Sequence, residues 1–293
     1  MCSTAWFPDE ICSMMYVFGD GRAPSVECAA IVEGVVKRQL ATLTGAARNL
    51  AEQRGSREIG LEDLLFQLRN NRSLLRRLIA YAKARDRVSG VRTTSANAPC
   101  EDDDVMEVVE QDVEAADGKR ARVLREAIGH FDLTGELLTL FDDETVDDIK
   151  RRRMEVMAER VAKMDEREHM RFTEARRVSL CSKNGARVPA QVRLFVQWLG
   201  IVGSDSDLVE ALNFLATETV ATIVDAACLL RIETFAASAR TLSVSDLLSN
   251  VVNAGIGIQP NDAAVVASTA LRTEHYREAI RRFPRTAQGN VIV

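Results

Sequence analysis

The residues that most often carry out chemistry in proteins are few in this sequence and lie far apart. The three histidines are His130, His169 and His275, and none lies at metal-ligand spacing from a cluster of Cys, Asp or Glu residues. His169 is close to Glu166 and Glu168, but a charged helix face explains this grouping more simply. We therefore expect neither a metal site nor an acid–base catalytic site.

The glycines and cysteines also lack the spacing of known reactive motifs. The run Gly255-Ile-Gly257 has none of the other residues of a dinucleotide-binding fingerprint, and the sequence contains no phosphate-binding loop. The cysteines show no short paired spacing, which is typical of reduced thiols rather than of disulfides or a zinc site. They are Cys2, Cys12, Cys28, Cys100, Cys181 and Cys228. The sequence predicts a protein that is not an enzyme and needs no cofactor.

Three groups of charged residues remain as candidates for recognition or for structural ion pairs. Arg57 and Asp63 flank a loop, where a charge-assisted pair would fix the start of the next helix. Glu218 lies in a largely apolar stretch and is either an acid on an exposed edge or a partner contact. The residues of a basic run are Lys150, Arg151, Arg152 and Arg153. This run is either a nuclear import signal or a solvated helix face.

A long amphipathic segment, Ser25 to Glu52, organises the first third of the chain. Its apolar residues recur at steps of three and four, as on one face of a helix, and Ser25 behind Pro24 can cap its start. This stripe contains Val32, Val36, Leu40, Leu43, Ala47 and Leu50. At the helical rise per residue the segment is about 40 Å long. A second apolar face indicates that the helix contacts more than its short neighbours.

Shorter elements on both sides of this helix complete a known arrangement. A short helix is predicted for Ile11 to Phe18, and Gly55 ends the long helix. Glu58-Ile59 predicts a short extended pair, and Leu61 to Arg69 predicts a helix opened by acids. A further basic helix is predicted for Ser73 to Arg85. This order is typical of a histone fold, which leaves an apolar face uncovered unless a partner pairs with it.

The last third of the chain repeats this order of helix lengths without a residue-level repeat. The predicted helices are Gln191 to Trp198, Leu208 to Glu233 and Asp262 to Phe283, with an extra turn at Ser245 to Val252. We therefore predict an all-α protein in which two histone folds pair within one chain, joined by an acidic linker and charged helices. The pairing core is expected to contain Val36, Leu40, Leu43, Leu212 and Leu215.

Charge and composition exclude several classes of protein. The net charge of −5 over 293 residues disfavours a free-standing nucleic-acid-binding protein. The apolar runs are far shorter than the roughly 20 residues that a membrane span needs, and we see no secretory signal at the N-terminus. Nine acids and no base between Glu101 and Asp117 predict a solvated linker, and docking against a basic partner is the alternative.

These features predict five units along the chain. In order they are residues 1–88, the first histone fold with its basic C-terminal helix; 89–117, the acidic linker; 118–188, a charged helical connector; 189–283, the second histone fold; and 284–293, a tail.

Several runs of residues resemble a known family. The runs are Met14-Met-Tyr-Val-Phe-Gly-Asp20, Ile31-Val-Glu-Gly-Val-Val36, Arg54-Gly-Ser-Arg57, Leu61-Glu-Asp-Leu-Leu-Phe66, Lys163-Met-Asp-Glu-Arg-Glu168, Phe172-Thr-Glu-Ala-Arg-Arg177 and Leu208 to Glu218. Together they resemble the suppressor-of-Ty subunit of the SAGA coactivator, which carries two histone folds in one polypeptide and regulates TATA-binding protein. Phe172 departs from the family, which has Trp at this position.

The resemblance implies a nuclear, non-enzymatic subunit that binds and delivers TATA-binding protein within a SAGA-like complex. It also implies other histone-fold subunits as partners, no membrane attachment and little direct DNA contact. The family uses acids of its second fold against TATA-binding protein, and Glu218 lies in the matching helix. Two alternatives remain: a TFIID-type histone-fold factor, which would lack the second fold, and a histone-like DNA-packaging protein, which would bind with a steep salt dependence.

Intramolecular pairing predicts how the first fold behaves when it is separated from the rest of the chain. Residues 1–90 expressed alone should be insoluble or should dimerise, because the apolar face of the long helix then lacks its cover. Sedimentation or light scattering of the purified fragment measures this. A stable, fully folded monomer would rule out the pairing.

Overall fold

The computed structural model describes residues 5–94, 118–143, 145, 147–183, 186–202, 205–241 and 270–283. Within them the chain forms ten α-helices, one 3-10 turn and one short hairpin. The elements are α1 (Pro8–Phe18), α2 (Val26–Gln53), α3 (Leu61–Leu68), α4 (Arg72–Thr94), α5 (Lys119–Gly129), the 3-10 turn (Leu138–Phe141), α6 (Asp148–Val161), α7 (Glu166–Arg176), β1 (Ser182–Lys183), β2 (Ala186–Arg187), α8 (Pro189–Leu199), α9 (Ser206–Thr241) and α10 (Thr273–Arg282).

Several predicted features lie outside the described residues. They are the acidic segment 101–117, the extra turn 245–252, the run 255–257, the tail 284–293, Cys2 and Cys100. The predicted helix Asp262 to Phe283 is described only from residue 270 onward, where α10 begins at Thr273.

The long helix of the first fold confirms the predicted periodicity. Ser25 is its N-cap, and its side chain accepts a hydrogen bond from the Glu27 N–H at 3.2 Å. Of the predicted stripe, Leu50 is half-buried and the other five residues are buried. Gly55, with a φ of 78°, then turns the chain out of α2 in the left-handed region that favours glycine.

Two local predictions for the first fold were wrong. Glu58-Ile59 is not a strand, because Ser56 Oγ donates to the Glu58 carbonyl at 2.9 Å and accepts from the Glu58 N–H at 3.2 Å. Both backbone groups of Glu58 are thus satisfied within the loop and need no paired strand. The basic helix is also longer than predicted, since α4 runs from Arg72 to Thr94 and passes the predicted domain end at residue 88.

The last third contains the predicted short and long helices. Pro189 begins α8 at a position where its missing N–H costs nothing, and Gly200 in the left-handed conformation ends it. The long helix α9 has 36 residues and extends the prediction at both ends, from Ser206 to Thr241.

The two long helices share one continuous hydrophobic core. That core also takes residues from α1, α3, α4, α5, α8 and α10, so both folds and part of the connector contribute to it. The five predicted pairing residues all lie in it and are at most 2% exposed: Val36, Leu40, Leu43, Leu212 and Leu215. The prediction of an all-α protein with two histone folds paired inside one chain is confirmed.

A buried carboxylate ties the start of the chain to its last described helix. Asp20, after α1, accepts hydrogen bonds from the Tyr276 hydroxyl at 2.8 Å and from the Leu271 N–H at 2.6 Å. Burial raises the pKa of Asp20 in spite of these bonds. Because Asp20 and Tyr276 are both almost fully buried, the contact links residues 256 positions apart within the core.

The charged connector packs on the first fold through a smaller apolar cluster. Phe172 of α7 packs edge-on against Tyr16 of α1, with ring centroids 5.8 Å apart. Arg160 of α6 donates to the Tyr16 and Val17 carbonyls at the end of α1, at 2.9 and 2.8 Å. A cation at a helix C-terminus is favourable, since free carbonyls and the helix dipole meet there. The family-like run around Phe172 therefore docks the connector.

The described helices include none that is both long enough and apolar enough to cross a membrane.

Leu40→Ala tests the assignment of the pairing core. Leu40 is fully buried, so its truncation should lower the free energy of unfolding by about 2–5 kcal/mol in a denaturant titration. The matched control is Leu229→Ala on α9, whose side chain is 46% exposed and whose loss should change stability within about 0.5 kcal/mol. Equal effects of the two substitutions would place Leu40 outside the core.

Candidate partner-binding site

A cluster of alternating charges surrounds the predicted contact residue Glu218. We call it the charge cluster and define it as Arg77 of α4, Asp147 and Arg153 at α6, and Glu218 and Asp225 of α9. Glu218 Oε2 lies 3.1 Å from Arg77 Nε and 3.0 Å from Arg153 Nη1. Arg77 Nη1 reaches Asp147 Oδ2 at 3.0 Å, and Arg153 Nε reaches Asp225 Oδ2 at 2.7 Å.

The charge cluster is largely shielded from solvent. The side chains of Arg77, Asp147, Arg153 and Glu218 are between 8% and 17% exposed. Burial lowers the pKa of Arg153, but the attraction of Glu218 and Asp225 is the larger effect, so the pKa of Arg153 is raised. Burial raises the pKa of Asp225 and outweighs the pairing with Arg153. The cluster therefore joins helices of both folds and the connector at one point.

The surroundings of Glu218 argue against one of the two sequence interpretations, an acid on an exposed edge, and the partner contact stays a prediction. The side chain of Glu218 is 17% exposed, and two arginines of the same chain, Arg77 and Arg153, hold its carboxylate. Thr222, one turn further along α9, adds a hydrogen bond between its hydroxyl and Arg153 Nη2 at 3.3 Å. Glu218 therefore fixes the positions of Arg77 and Arg153 relative to α9.

The basic run on α6 divides between two faces of that helix. Arg151 and Arg152 are exposed, whereas Lys150 and Arg153 are half-buried and turned toward α9. At 100° per residue, neighbours on a helix point in different directions, so a contiguous basic run does not form one basic face. Of the four residues Lys150, Arg151, Arg152 and Arg153, Arg151 and Arg152 are thus solvated, Arg153 belongs to the charge cluster, and Lys150 is half-buried beside it.

Asp63 forms an ion pair, but its partner is not the predicted Arg57. Arg54 donates to both carboxylate oxygens of Asp63, at 3.0 and 2.6 Å, and also pairs with Glu62 at 2.9 Å. Asp63 in addition accepts from the Gly60 N–H at 2.9 Å, which caps the start of α3. Arg54 is the C-cap of α2, and the turn at Gly55 brings its side chain over the start of α3. The prediction chose Arg57 because it is nearer to Asp63 in the sequence.

An open cleft of about 300 Å³ adjoins the charge cluster. Its walls come from α1, α4, α6, the end of α7, the segment around the hairpin, and α9. Sequence reasoning did not predict this cleft, because no single segment carries its pattern. The sequence analysis also did not identify Arg77 and Asp147 as members of this site. The one feature that could have indicated Arg77 is its position on the inner side of the predicted basic helix.

Among the described residues, no group of three or more His, Cys, Asp or Glu side chains is placed to hold a metal ion. The cysteine Cys181 on the wall of the cleft has a pKa raised to about 12 by burial, which disfavours its reactive thiolate form.

Glu218→Lys tests whether the charge cluster is structural. The substitution removes the acceptor of two half-buried arginines and adds a third cation, so we expect it to lower the free energy of unfolding by about 1–3 kcal/mol. The matched control is Glu126→Lys on the exposed face of α5, which should change stability by less than about 0.5 kcal/mol. Equal denaturation curves for the two variants would contradict the cluster.

Comparison of the sequence with known proteins finds similarity to transcription proteins. Residues 5–94 match the family described as "Transcription initiation factor IID, 18kD subunit". The chain is 26% identical to the SAGA complex subunit Spt3 of Schizosaccharomyces pombe, across 95% of this chain and 90% of that protein. It is 24% identical to the SAGA complex subunit SPT3 of Saccharomyces cerevisiae, across 74% of this chain and 71% of that protein. The resemblance to SAGA suppressor-of-Ty subunits is thus confirmed along almost the whole chain.

Proposed function

We propose that this chain is a non-enzymatic subunit of a SAGA-like transcription coactivator complex and that it binds TATA-binding protein there. The observation that carries the proposal is the extent of the similarity to Spt3, which reaches 95% of this chain and so includes both histone folds and the connector. A relation through a shared histone fold alone would have covered the first third only.

The second fold favours this function over that of a TFIID-type factor. The TFIID 18 kDa family matches only residues 5–94. Helices α8, α9 and α10 follow that match and pack into the same core as α2. In a factor with a single fold, a separate protein would have to cover α2, whereas here α9 of the same chain does so.

A histone-like packaging role would need unpaired basic residues at the loop ends to contact phosphates. Arg54, at the loop between α2 and α3, is instead engaged by Asp63 and Glu62. Arg77 and Arg153 are engaged by acids inside the charge cluster. Together with the net charge of −5, these pairs disfavour DNA as the main ligand.

Because the folds cover each other, contacts to other subunits must use their outer surface. Exposed apolar side chains are candidates for such contacts, since a complex buries them. They include Val202, Leu133, Met170 and Ile232, with exposures between 59% and 96%. We propose other histone-fold subunits of the complex as neighbours and the nucleus as the location. The basic run of α6 is split between two faces of the helix and does not form one basic surface. We therefore propose that the chain enters the nucleus as part of the assembled complex.

We propose that TATA-binding protein contacts the region around Glu218. The support is that Glu218 lies in the helix matching the one the family uses, and that its arginine partners connect α4, α6 and α9 at one site. Fixed charges orient a docking partner and exclude wrong ones more than they add affinity. Displacing Arg77 and Arg153 would therefore disturb the docking geometry.

Purification from the source cells tests the assignment to a complex. The tagged protein should co-purify with SAGA-type subunits, and mass spectrometry of the eluate would identify them. Co-purification with TFIID subunits alone would favour the TFIID alternative. Association with chromatin that is lost at moderate salt would favour a packaging role.

Direct binding tests the contact to TATA-binding protein. Glu218→Lys should reduce binding about tenfold or more at a temperature where circular dichroism shows the variant folded. Glu218→Gln, which keeps the shape, should have a smaller effect, and Glu126→Lys should have none. Equal binding by wild type and Glu218→Lys would remove this region from the contact, and no binding by the wild type would refute the proposed partner.

A further inference from the structure

We propose that α6 detaches from the folded body as a unit, at a lower free-energy cost than the helices around it, and that Arg160 controls this step. Arg153 completes the charge cluster only while α6 is docked, so release of α6 changes the surroundings of Glu218. Arg160 acts on a partner at Glu218 through this step and is therefore a positioning residue. That second part rests on the proposed function, whereas the release of α6 does not.

α6 makes few apolar contacts. Among the helices that the structure describes, it is the one without a buried residue. Met157 and Val161 are half-buried and pack at the edge of the smaller apolar cluster around Phe172. Ile149 and Val156 face the solvent, with exposures of 48% and 47%. Because burial of apolar surface is the main favourable term in packing, a helix with so little of it has a low local stability.

Two arginines on one face of α6 supply most of its attachment. Arg153 bonds Asp225 at 2.7 Å and Glu218 at 3.0 Å on the side of α9. Arg160, two helical turns later, donates to carbonyls at the end of α1 at 2.8 and 2.9 Å. Residues two turns apart lie on the same face of a helix. α6 is thus held along one edge by polar contacts at two points.

The attachment through Arg160 is weakened by the loss of water around its charge. Its guanidinium bonds neutral carbonyl oxygens, and the ring centroids of Tyr16 and Phe172 both lie 5.6 Å from it. Burial lowers the pKa of Arg160. A buried cation gives up hydration, which offsets part of what these bonds contribute. The net hold of Arg160 is therefore modest, and reversing its charge should release α6.

The elements on both sides of α6 are attached by contacts of their own. α4 contributes buried residues to the main core. α7, which follows after residues 162–165, is docked by Phe172, whose exposure is 1%. Glu168 of α7 also accepts a hydrogen bond from Arg22 Nε at 2.8 Å. Release of α6 therefore leaves α4 and α7 in place.

Release of α6 alters the face of α9 that carries Glu218. Arg153 meets three groups of that face, since its guanidinium also reaches the Thr222 hydroxyl at 3.3 Å. Without Arg153, Glu218 keeps Arg77, whereas Asp225 loses its ion pair at 2.7 Å. The face then carries one cation less, and a partner oriented by the docked charges meets a different surface. A partner that binds the docked form better shifts the equilibrium toward that form.

Hydrogen-exchange mass spectrometry of the full chain tests the release. In the wild type, amides of α6 should exchange about tenfold or more faster than those of α7 and α9. Arg160→Glu places a carboxylate against the carbonyls of α1 and should speed exchange in α6 by about another tenfold or more, with α9 still protected. The matched control is Arg151→Glu, which makes the same charge change on the same helix at a side chain that is 63% exposed, and it should leave exchange unchanged.

Titration of TATA-binding protein with the full chain tests the positioning role. In the double variant Arg160→Glu/Met157→Asp the released form should dominate. Its binding should be weaker by about tenfold or more, in proportion to the loss of the docked fraction that exchange measures. The control Arg151→Glu/Val156→Asp makes the same charge changes at exposed positions of α6 and should bind like the wild type.

Each part of the proposal has a result that overturns it. Equal exchange in α6 and α7 of the wild type would show that α6 opens only with the rest of the connector. Equal exchange in the two arginine variants would remove Arg160 from the step. Unchanged or tighter binding by the double variant would contradict the positioning role, and tighter binding would indicate that the partner itself takes the place of Arg153. If the wild type does not bind, the proposed partner fails and the positioning role with it, while the exchange data still decide whether α6 is released.

Discussion

The structure depends on the need to cover a helix that is apolar on more than one side. α2 is too long and too apolar for α1 and α3 alone, and a histone fold solves this problem by pairing. Here the pairing helix, α9, belongs to the same polypeptide. Because the partner is covalently attached, its effective concentration does not depend on dilution, and the two folds always meet in the same combination.

The polar residues give this apolar core a defined geometry. Burial alone is non-directional and would accept several relative positions of α2 and α9. The charge cluster joins α4, α6 and α9, and Asp20 joins the first fold to α10. Arg160 and Phe172 hold the connector on α1. The connector is thus part of the folded body, and it forms one wall of the cleft that neither fold could form alone.

The parts of the fold that depend on local pattern could be predicted from the sequence. The steps of three and four from Val32 to Ala47 identified α2, and Ser25 identified its first turn. The failures depend on geometry that a linear pattern does not contain. The turn at Gly55 selects Arg54 rather than Arg57 as the partner of Asp63, and Ser56 replaces the strand partner expected for Glu58. The environment of Glu218 could not be predicted, because its partners Arg77 and Arg153 lie 65 or more residues away in the sequence.

The central claim is that the two ends of the chain fold as one body, and the bond between Asp20 and Tyr276 tests it most directly. The measurement is a double-mutant cycle on the full chain, with Asp20→Ala, Tyr276→Phe and the double variant compared by denaturant unfolding. Since both side chains are buried and 2.8 Å apart, we predict a coupling energy of about 0.5–3 kcal/mol. If the two single effects add to within about 0.3 kcal/mol, the residues do not meet and the account of one shared core is contradicted.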